Sequence, residues 1–215
     1  MIIAKYLSVL LVGYLLGSIP FGLIISKVMS DKDIRGVGSG KTGTTNVLRT
    51  AGVKAAVMVA ICDLGKGALA VALAGLISGA YLKTGGSGWF TRESAQAAAA
   101  LAAVFGHTWP VFTRFKGGRG VATFLGGLLA LCPPAGLFGA ELLILGAATT
   151  RYVSLGSMAA GVGSFIILIP LTVIDNFPVA YLIYALAGAI FIIVMHRDNI
   201  GRLLSGKERK LGEKI

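Results

Sequence analysis

The residues with the clearest chemical potential form a basic, glycine-rich segment, Arg35-Gly-Val-Gly-Ser-Gly-Lys-Thr-Gly-Thr-Thr-Asn-Val-Leu-Arg49. Its glycines permit backbone conformations that turn successive N–H groups toward one point, as in an anion nest. Hydroxyl and amide side chains add donors, and Lys41 and Arg49 add positive charge. This combination predicts a phosphate site, and the simpler alternative is a flexible linker.

Part of this segment, Gly-Ser-Gly-Lys-Thr, looks like a nucleotide-binding P-loop, but its spacing is wrong. The pattern G-x-x-x-x-G-K-[ST] requires glycine at position 35, where the chain has Arg35. An apolar stretch, rather than a β-strand pattern, precedes the segment. We therefore do not expect a nucleotide here.

A second basic glycine segment, Lys116-Gly-Gly-Arg-Gly120, lies between two apolar stretches. Gly117 and Gly118 could present their backbone N–H groups at the start of a helix, and helix N-termini bind anions. Alternatively, Lys116 and Arg119 only anchor the chain at a membrane surface. That role alone would not require three glycines.

Two further polar segments complete the set. Arg151-Tyr-Val-Ser154 reads as a tight turn, and His196-Arg-Asp-Asn-Ile-Gly-Arg202 follows the last apolar stretch. His196, Asn199 and Arg202 are spaced three apart, so on a helix they face the same way, although an ordinary basic helix end would look similar. Because each charge-assisted contact is worth roughly 1.5–3 kcal/mol, the four segments could fix phosphate groups. We predict a site where a soluble phosphorylated substrate meets a lipid-borne one.

Other polar residues lie inside apolar stretches and favour structural roles. Asp63 and Lys66 are three apart, so we expect an ion pair on one helix face. His107 is expected to be a hydrogen-bonded structural residue, and Cys62 and Cys132 to be packing residues. The sequence contains no CxxC, HExxH or EF-hand pattern, and therefore no metal site is predicted.

Long apolar stretches must hold these segments in place. The stretches without any Asp, Glu, Lys or Arg are 6–26, 94–113, 120–140, 152–174 and 176–195. A membrane-spanning helix needs about 20 largely apolar residues, whereas a core helix of a soluble protein has a polar face. The stretches therefore predict spanning helices.

Two further apolar regions are interrupted, one by charged residues and one by a pair of prolines. Residues 53–82 contain two charges but read as one further helix, whose first half lies near the interface or inside the bundle. Pro133-Pro134 divides the region after 119 into helices at about 119–131 and 134–149, because adjacent prolines remove helical donors and clash with the preceding turn. The total is seven spans.

The first apolar segment is expected to be retained as a span, since no small-residue cleavage site follows it. Pro20 is expected to kink this helix. Gly13 and Gly17 form a GxxxG pattern, which usually serves helix packing.

The positive charges predict the orientation. With seven spans, one side of the membrane receives Lys5, Lys83 and Arg92, three of the 20 Lys and Arg residues. The other side receives sixteen, in 27–54 (six), 114–119 (three), 151 (one) and the tail from 197 (six), and Lys66 lies within a helix. Because basic loops stay in the cytoplasm, we predict an outside N-terminus and a cytoplasmic C-terminus.

Composition supports the same class of protein. The 215 residues carry a net charge of +11, yet only 13% are charged and 55% are hydrophobic. A soluble nucleic-acid-binding protein is usually rich in charge throughout, and disorder requires low hydrophobicity. The composition indicates a polytopic membrane protein with no nucleic-acid partner.

Four segments carry a further signal when they are taken together in chain order. They are Leu16-Gly-Ser-Ile-Pro-Phe-Gly22, Gly38-Ser-Gly-Lys-Thr-Gly-Thr-Thr-Asn-Val-Leu-Arg49, Gly106-His through Phe-Lys-Gly-Gly-Arg-Gly-Val-Ala-Thr123, and His196-Arg-Asp-Asn-Ile-Gly-Arg-Leu-Leu-Ser-Gly206. Together they resemble one family, the bacterial acyl-phosphate:glycerol-3-phosphate acyltransferases, or PlsY family. Asp63-Leu-Gly-Lys-Gly67 and Arg151-Tyr-Val-Ser154 also fit this family.

The resemblance implies an all-α polytopic membrane protein, a single domain of residues 1–215 in the bacterial inner membrane, with a cytoplasmic site and no cofactor. It implies catalytic roles for Ser39, His196 and Asn199. Substrate-binding roles are implied for Gly38, Gly40, Gly43, Thr45, Asn46, Arg49, Lys116, Gly117, Gly118 and Ser154. From their charge and position in the two glycine segments, Lys41 and Arg119 are further candidates for substrate binding. The family usually has Asn where this chain has Lys41; the added cation either tightens phosphate binding or points outward without effect.

The reaction implied by the resemblance moves an acyl chain from acyl phosphate to the 1-hydroxyl of sn-glycerol-3-phosphate, and gives lysophosphatidic acid and phosphate. Other glycerophosphate acyltransferases use an HxxxxD pair as base, but at that spacing His107 precedes Phe112 and His196 precedes Gly201. We therefore expect a substrate phosphate oxygen to assist proton removal, positioned by His196 and Asn199. Direct base catalysis by His196 is the rival hypothesis.

Two other classes stay open at this point. A transporter of an organic phosphate would need a basic, glycine-rich site and discontinuous helices, but the sequence shows no internal repeat. A membrane scaffold would explain the spans but not the glycine and cation segments.

Overall fold

The computed structural model describes residues 2–31, 33–79 and 91–213. These ranges contain α-helices, short 3₁₀ turns and connecting loops, and no β-strand. The helices are α1 (Ile2–Gly17), α2 (Phe21–Ser30), α3 (Thr44–Gly79), α4 (Arg92–Thr108), α5 (Val121–Leu131), α6 (Pro133–Thr150), α7 (Val153–Val173), α8 (Val179–Met195) and α9 (Arg197–Leu204).

The predicted break at Pro20 is confirmed. Helix α1 ends at Gly17 and α2 begins at Phe21, directly after the proline. The break leaves backbone carbonyls without helical partners, and the ammonium group of Lys66 donates to the carbonyl oxygen of Ile19 at 3.2 Å. The break is therefore stabilised by a charge buried inside the bundle.

The predicted division at Pro133-Pro134 is also confirmed, since α5 ends at Leu131 and α6 begins at Pro133. Proline is tolerated in the first helical turn, where its missing N–H would have had no partner. The apolar stretch 94–113 is only partly helical, because α4 ends at Thr108 and a 3₁₀ turn follows at Val111–Thr113.

Helix α3 begins at Thr44, nine residues before the predicted start of this span at 53. Gly52 interrupts it with a non-helical φ of 86° and ψ of 179°, so two helical parts meet at a kink there, and the second part begins at the predicted residue 53. Consequently Thr45, Asn46 and Arg49 lie on a helix, not on a loop as the glycine-rich composition suggested. The last residues of the predicted span, 80–82, lie outside the described residues.

Glycines set the closest helix contacts, which confirms the packing role expected for the GxxxG pattern. A Cβ atom built on Gly17 of α1 would lie 2.1 Å from the carbonyl oxygen of Ala103 in α4. Likewise, a Cβ on Gly126 of α5 would lie 1.9 Å from the carbonyl oxygen of Leu64 in α3. Small residues let backbones approach closely, as is typical of membrane bundles.

The expected Asp63–Lys66 ion pair is present and almost fully buried. The Lys66 ammonium lies 2.8 Å from Oδ1 of Asp63, and Nδ1 of His107 lies 3.4 Å from the same oxygen. This cluster joins α3 and α4 next to the α1–α2 break. His107 is therefore packed beside the ion pair inside the bundle, but its Nδ1 has no hydrogen-bond partner among the described residues, so the hydrogen bond predicted for it is not present at that atom.

The outer faces of the helices are apolar, as expected for an integral membrane protein. Leu76 of α3 and Val173 of α7 are each 74% exposed. By length and composition, Ile3–Ser30, Thr44–Gly79 and Val153–Val173 can each cross a membrane, and Val179–Met195 with Arg197–Leu204, bent by 56°, is a fourth candidate. The seven-span count and the orientation stay predictions; Lys32, Lys83 and Lys214, used in the charge argument, lie outside the described residues.

Candidate phosphate-binding site

Three segments that contain predicted site residues meet in one cleft of about 270 Å³. The loop before α3, the segment before α5 and helix α9 form its walls, together with part of the tail that follows α9. The lining residues are Gly38, Ser39, Lys41, Arg49, Arg119, Asp198, Asn199, Arg202, Glu208 and Arg209.

The side chain of Asn46 forms hydrogen bonds with the glycine-rich loop before α3, residues 34–43, which we call the glycine loop. Its buried Nδ2 donates to the carbonyl oxygens of Ile34 at 3.0 Å, Val37 at 3.1 Å and Lys41 at 2.9 Å. Its Oδ1 accepts from the N–H group of Ser39 at 3.2 Å. Because this side chain is occupied by the loop, it orders the loop rather than facing the cleft.

The glycines of this loop serve mainly to allow its backbone conformation, rather than to donate hydrogen bonds to a ligand. Gly38 and Gly40 have φ angles of 66° and 65°, in the left-handed region that favours glycine. The N–H group of Gly40 donates to Val37 at 3.1 Å, so the predicted donation from Gly40 to a ligand is not made in this conformation.

Gly43 and Thr45 lie at the start of α3 rather than on the cleft wall. The Gly43 carbonyl accepts the N–H groups of Asn46 and Val47 at 3.0 and 3.2 Å, and thus begins the helix. Thr45 is in the first turn and is half-buried. The structure does not bring these two predicted binding residues to the cleft.

Arg49 and Arg119 supply the most direct anion-binding groups. The Nε atoms of both side chains are buried and have no hydrogen-bond partner among the described residues. Charged residues of the lining are Lys41, Arg49, Arg119, Arg202 and Arg209 on the positive side and Asp198 and Glu208 on the negative side. This surplus of positive charge, with unpartnered guanidinium N–H groups, suits a phosphate.

Lys116 lies in a neighbouring cleft of about 570 Å³, lined by Arg35, Gly40, Phe112, Thr113, Arg114 and Lys116. Gly40 belongs to the loop that also walls the first cleft. The glycine loop therefore separates two basic clefts, and Lys116 and Arg119 face different ones.

Gly117 and Gly118 are required by close packing against His107. A Cβ atom on Gly117 would lie 2.1 Å from the His107 carbonyl oxygen, and one on Gly118 would lie 2.0 Å from its Nε2. The Gly118 N–H donates to the His107 carbonyl at 3.1 Å. Their predicted role as ligand donors is thus replaced, for Gly118, by a structural hydrogen bond.

His196 joins α8 to α9 and is 2% exposed. Its Nδ1 lies 2.7 Å from the Ile192 carbonyl oxygen; a carbonyl only accepts, so Nδ1 carries the proton of the neutral ring and Nε2 keeps a lone pair. Burial lowers the pKa of His196 to about 4, although the hydrogen bond to Ile192 opposes the shift. The imidazole is therefore neutral at pH 7.

Glu208, which no sequence pattern indicated, joins two of the functional segments, 151–154 and 196–202. Its Oε1 accepts from the Ser154 hydroxyl at 2.9 Å and from Nδ2 of Asn199 at 2.6 Å. Its Oε2 accepts from Nε of Arg202 at 2.7 Å. The signal available in the sequence was one acid inside a basic run, Lys207-Glu-Arg-Lys210.

The tail after α9 is fixed over the turn that precedes α7. Arg151 Nη2 donates to the Leu211 carbonyl at 2.9 Å, and the Leu211 N–H donates to the Arg151 carbonyl at 2.7 Å. Arg49 Nη2 donates to the Arg209 carbonyl at 3.4 Å. The tail is thus part of the cleft wall.

An apolar helical bundle with a positively charged, partly buried cleft defines an integral membrane protein suited to anionic ligands. The chain matches the family model described as glycerol-3-phosphate acyltransferase over residues 7–206 and belongs to this family. Because this is a family of enzymes, the transporter and scaffold alternatives are dropped.

Two relatives match this chain over nearly its full length. Glycerol-3-phosphate acyltransferase 3 of Dehalococcoides mccartyi strain ATCC BAA-2266 is 57% identical over 214 residues, covering 100% of this chain and 99% of the relative. Glycerol-3-phosphate acyltransferase of Halalkalibacterium halodurans is 43% identical over 202 residues, with 94% and 93% covered. The fold is similar to the crystal structure of PlsY (YgiH), an integral membrane glycerol 3-phosphate acyltransferase, in its glycerol 3-phosphate form, with a TM-score of 0.81, 38% identity and 96% of each chain covered.

Proposed function

We propose that this protein transfers an acyl chain from acyl phosphate to the 1-hydroxyl of sn-glycerol-3-phosphate. The products are 1-acyl-glycerol-3-phosphate (lysophosphatidic acid) and inorganic phosphate, in the first step of bacterial phospholipid synthesis. The observation that carries the proposal is the basic cleft beside the glycine loop, with the unpartnered Nε groups of Arg49 and Arg119. Related structures of a 37–38% identical acyltransferase in glycerol 3-phosphate and lysophosphatidic acid forms support it.

The residues at the two clefts support the proposal of acyl phosphate as the donor. Among the described residues, their linings hold guanidinium and ammonium groups, an amide, hydroxyls and the carboxylates of Asp198 and Glu208, and neither lining includes a cysteine or a histidine. Acyl phosphate is a mixed anhydride with phosphate as a good leaving group, so transfer requires no acyl-enzyme. Holding two phosphates, orienting a hydroxyl and stabilising the carbonyl oxyanion are sufficient.

In this mechanism the substrate 1-hydroxyl oxygen attacks the carbonyl carbon and forms the new ester bond. The carbon–oxygen bond to phosphate then breaks, and inorganic phosphate leaves. The hydroxyl proton passes to a substrate phosphate oxygen, while Asn199 positions the hydroxyl from the cleft wall. His196 contributes to this positioning by fixing the junction of α8 and α9, the helix that carries Asn199. A buried His196 with a pKa of about 4 is a weak base at neutral pH, which favours this route over direct base catalysis.

The two clefts on either side of the glycine loop offer places for the two phosphates. Ser39, Arg49, Arg119 and Asn199 serve one of them, and Lys116 serves the other, with the loop as a shared wall. Lys41, which lines the first cleft, adds a charge that tightens phosphate binding. The site lies on the cytoplasmic side of the inner membrane, where soluble glycerol-3-phosphate can reach it.

The donor assignment is tested with purified protein, glycerol-3-phosphate and one acyl donor at a time. Acyl phosphate should support phosphate release that depends on glycerol-3-phosphate, whereas acyl-CoA and acyl carrier protein thioesters should be inert. Turnover with either thioester but not with acyl phosphate would overturn the donor assignment. Failure of all three donors, in protein that retains its fold, would overturn the enzyme activity itself.

A further inference from the structure

We propose that Glu208 is a positioning residue that fixes the amide of Asn199, so that Oδ1 of Asn199 accepts a hydrogen bond from a substrate hydroxyl. This inference rests on the proposed acceptor substrate, glycerol-3-phosphate. It gives a role to an acidic residue at the centre of a basic site, where an additional negative charge would by itself weaken phosphate binding.

The first step concerns which end of the Asn199 amide faces Glu208. Burial opposes ionisation of this carboxyl, but the hydrogen bonds from Asn199, Arg202 and Ser154 hold the pKa of Glu208 below its usual value. An ionised carboxylate only accepts hydrogen bonds. At 2.6 Å it therefore requires the NH₂ end of Asn199, and the opposite orientation would bring two oxygens together.

The second step concerns the end of the amide that is left over. Oδ1 of Asn199 is buried and has no hydrogen-bond donor among the described residues, and Asn199 lines the cleft. Buried acceptors without a donor are rare in folded proteins and are expected at sites that bind ligands. Beside the carboxylates of Asp198 and Glu208, the cleft thus presents one neutral, buried acceptor that has no donor among the described residues.

The third step is the match with the substrate. Ionised phosphate oxygens accept, and Arg49 and Arg119, with no acceptor atoms, can serve only those oxygens. The hydroxyls of glycerol-3-phosphate donate, and therefore need an acceptor such as Oδ1 of Asn199. The guanidinium groups therefore bind the phosphate, and the oriented amide of Asn199 accepts from the hydroxyl.

Glu208→Gln tests the role of the carboxylate with little change of shape. A glutamine amide cannot accept from Asn199 and from Arg202 at the same time, since one of its ends donates. We expect kcat to fall about 10- to 100-fold, while KM for glycerol-3-phosphate rises only several-fold, because the guanidinium contacts to its phosphate remain. Glu213→Gln, in the same tail, changes the charge equally, and its exposed carboxylate accepts from the Lys210 N–H; we expect less than a twofold effect.

A double-mutant cycle separates positioning from a purely structural role. If Glu208 acts through Asn199, Glu208→Gln should have little further effect in an Asn199→Ala background, because coupled residues are not additive. Additive losses, or an unchanged or higher kcat in Glu208→Gln, would overturn the inference. Thermal unfolding temperatures of all variants identify any loss of fold, and Ser154→Ala, which removes one bond but keeps the carboxylate, then provides a milder test.

A binding measurement keeps this inference distinct from the donor assignment. Wild-type protein should bind glycerol-3-phosphate more tightly than n-propyl phosphate, which has the phosphate but no hydroxyl. The preference should fall several-fold in Glu208→Gln and in Asn199→Ala, and stay unchanged in Glu213→Gln. An unchanged preference in the first two variants refutes the role of Glu208, whereas inert acyl phosphate with a lost preference refutes only the donor assignment.

Discussion

Asn46 provides the sharpest test of how the glycine loop is built. Its Nδ2 donates to three loop carbonyls at 2.9–3.1 Å from a position that is 2% exposed. In Asn46→Asp the size is kept and the bond from the Ser39 N–H survives, but the three donations are lost and a carboxylate oxygen faces three carbonyl oxygens. The two amide hydrogens are shared among the three carbonyls, so at about 1 kcal/mol for each net hydrogen bond the loop loses about 2 kcal/mol of ordering free energy.

That loss corresponds to roughly thirtyfold in kcat/KM if the ordered loop is required in the transition state. The assay is initial-rate phosphate release, together with amide hydrogen exchange of residues 33–43 in the absence of substrate. Faster exchange of the loop is expected, because the bonds exist before a ligand arrives. Lost activity with unchanged loop exchange would refute the reasoning and would place Asn46 in direct contact with substrate instead.

Three other substitutions test the packing, the second cleft and the proton acceptor. Gly17→Ala should lower the free energy of unfolding by about 1–3 kcal/mol, since the new Cβ would lie 2.1 Å from a backbone oxygen. Gly65→Ala is the matched control, because a Cβ there would meet no atom within 4 Å. Equal unfolding temperatures for the two variants would contradict the packing argument. Lys116→Ala should greatly reduce turnover without unfolding, and unchanged turnover would remove Lys116 from the site. His196→Gln should keep a substantial rate: with a pKa of about 4, His196 stays neutral from pH 8 down to pH 5 and gains a proton only near pH 4, so no titration of this group is expected in that range. A rate near background would favour His196 as the direct base.

The sequence predicted features that depend on local chemistry. Pro20 and Pro133 mark helix breaks because proline removes a donor wherever it occurs. Asp63 and Lys66 form their ion pair because helical spacing alone brings them together. The helical class follows from apolar stretches that no soluble fold explains.

Features that depend on three-dimensional placement were missed. Asn46 looked like a ligand donor, because nothing in its neighbours reveals that the loop carbonyls turn back toward α3. Gly118 looked like an anion-binding glycine, although the His107 ring that requires it lies eleven residues away. Glu208 was overlooked among basic tail residues, because only the folding of the tail over Arg151 brings it to Ser154 and Asn199.

The most direct test of the account is a ³¹P NMR time course of purified protein with acyl phosphate and sn-glycerol-3-phosphate. The account predicts that acyl phosphate disappears while inorganic phosphate and 1-acyl-glycerol-3-phosphate appear in equal amounts. Neither product should form when glycerol-3-phosphate is omitted. Phosphate release without the acylated product, or formation of the product only from a thioester donor, would contradict the central claim.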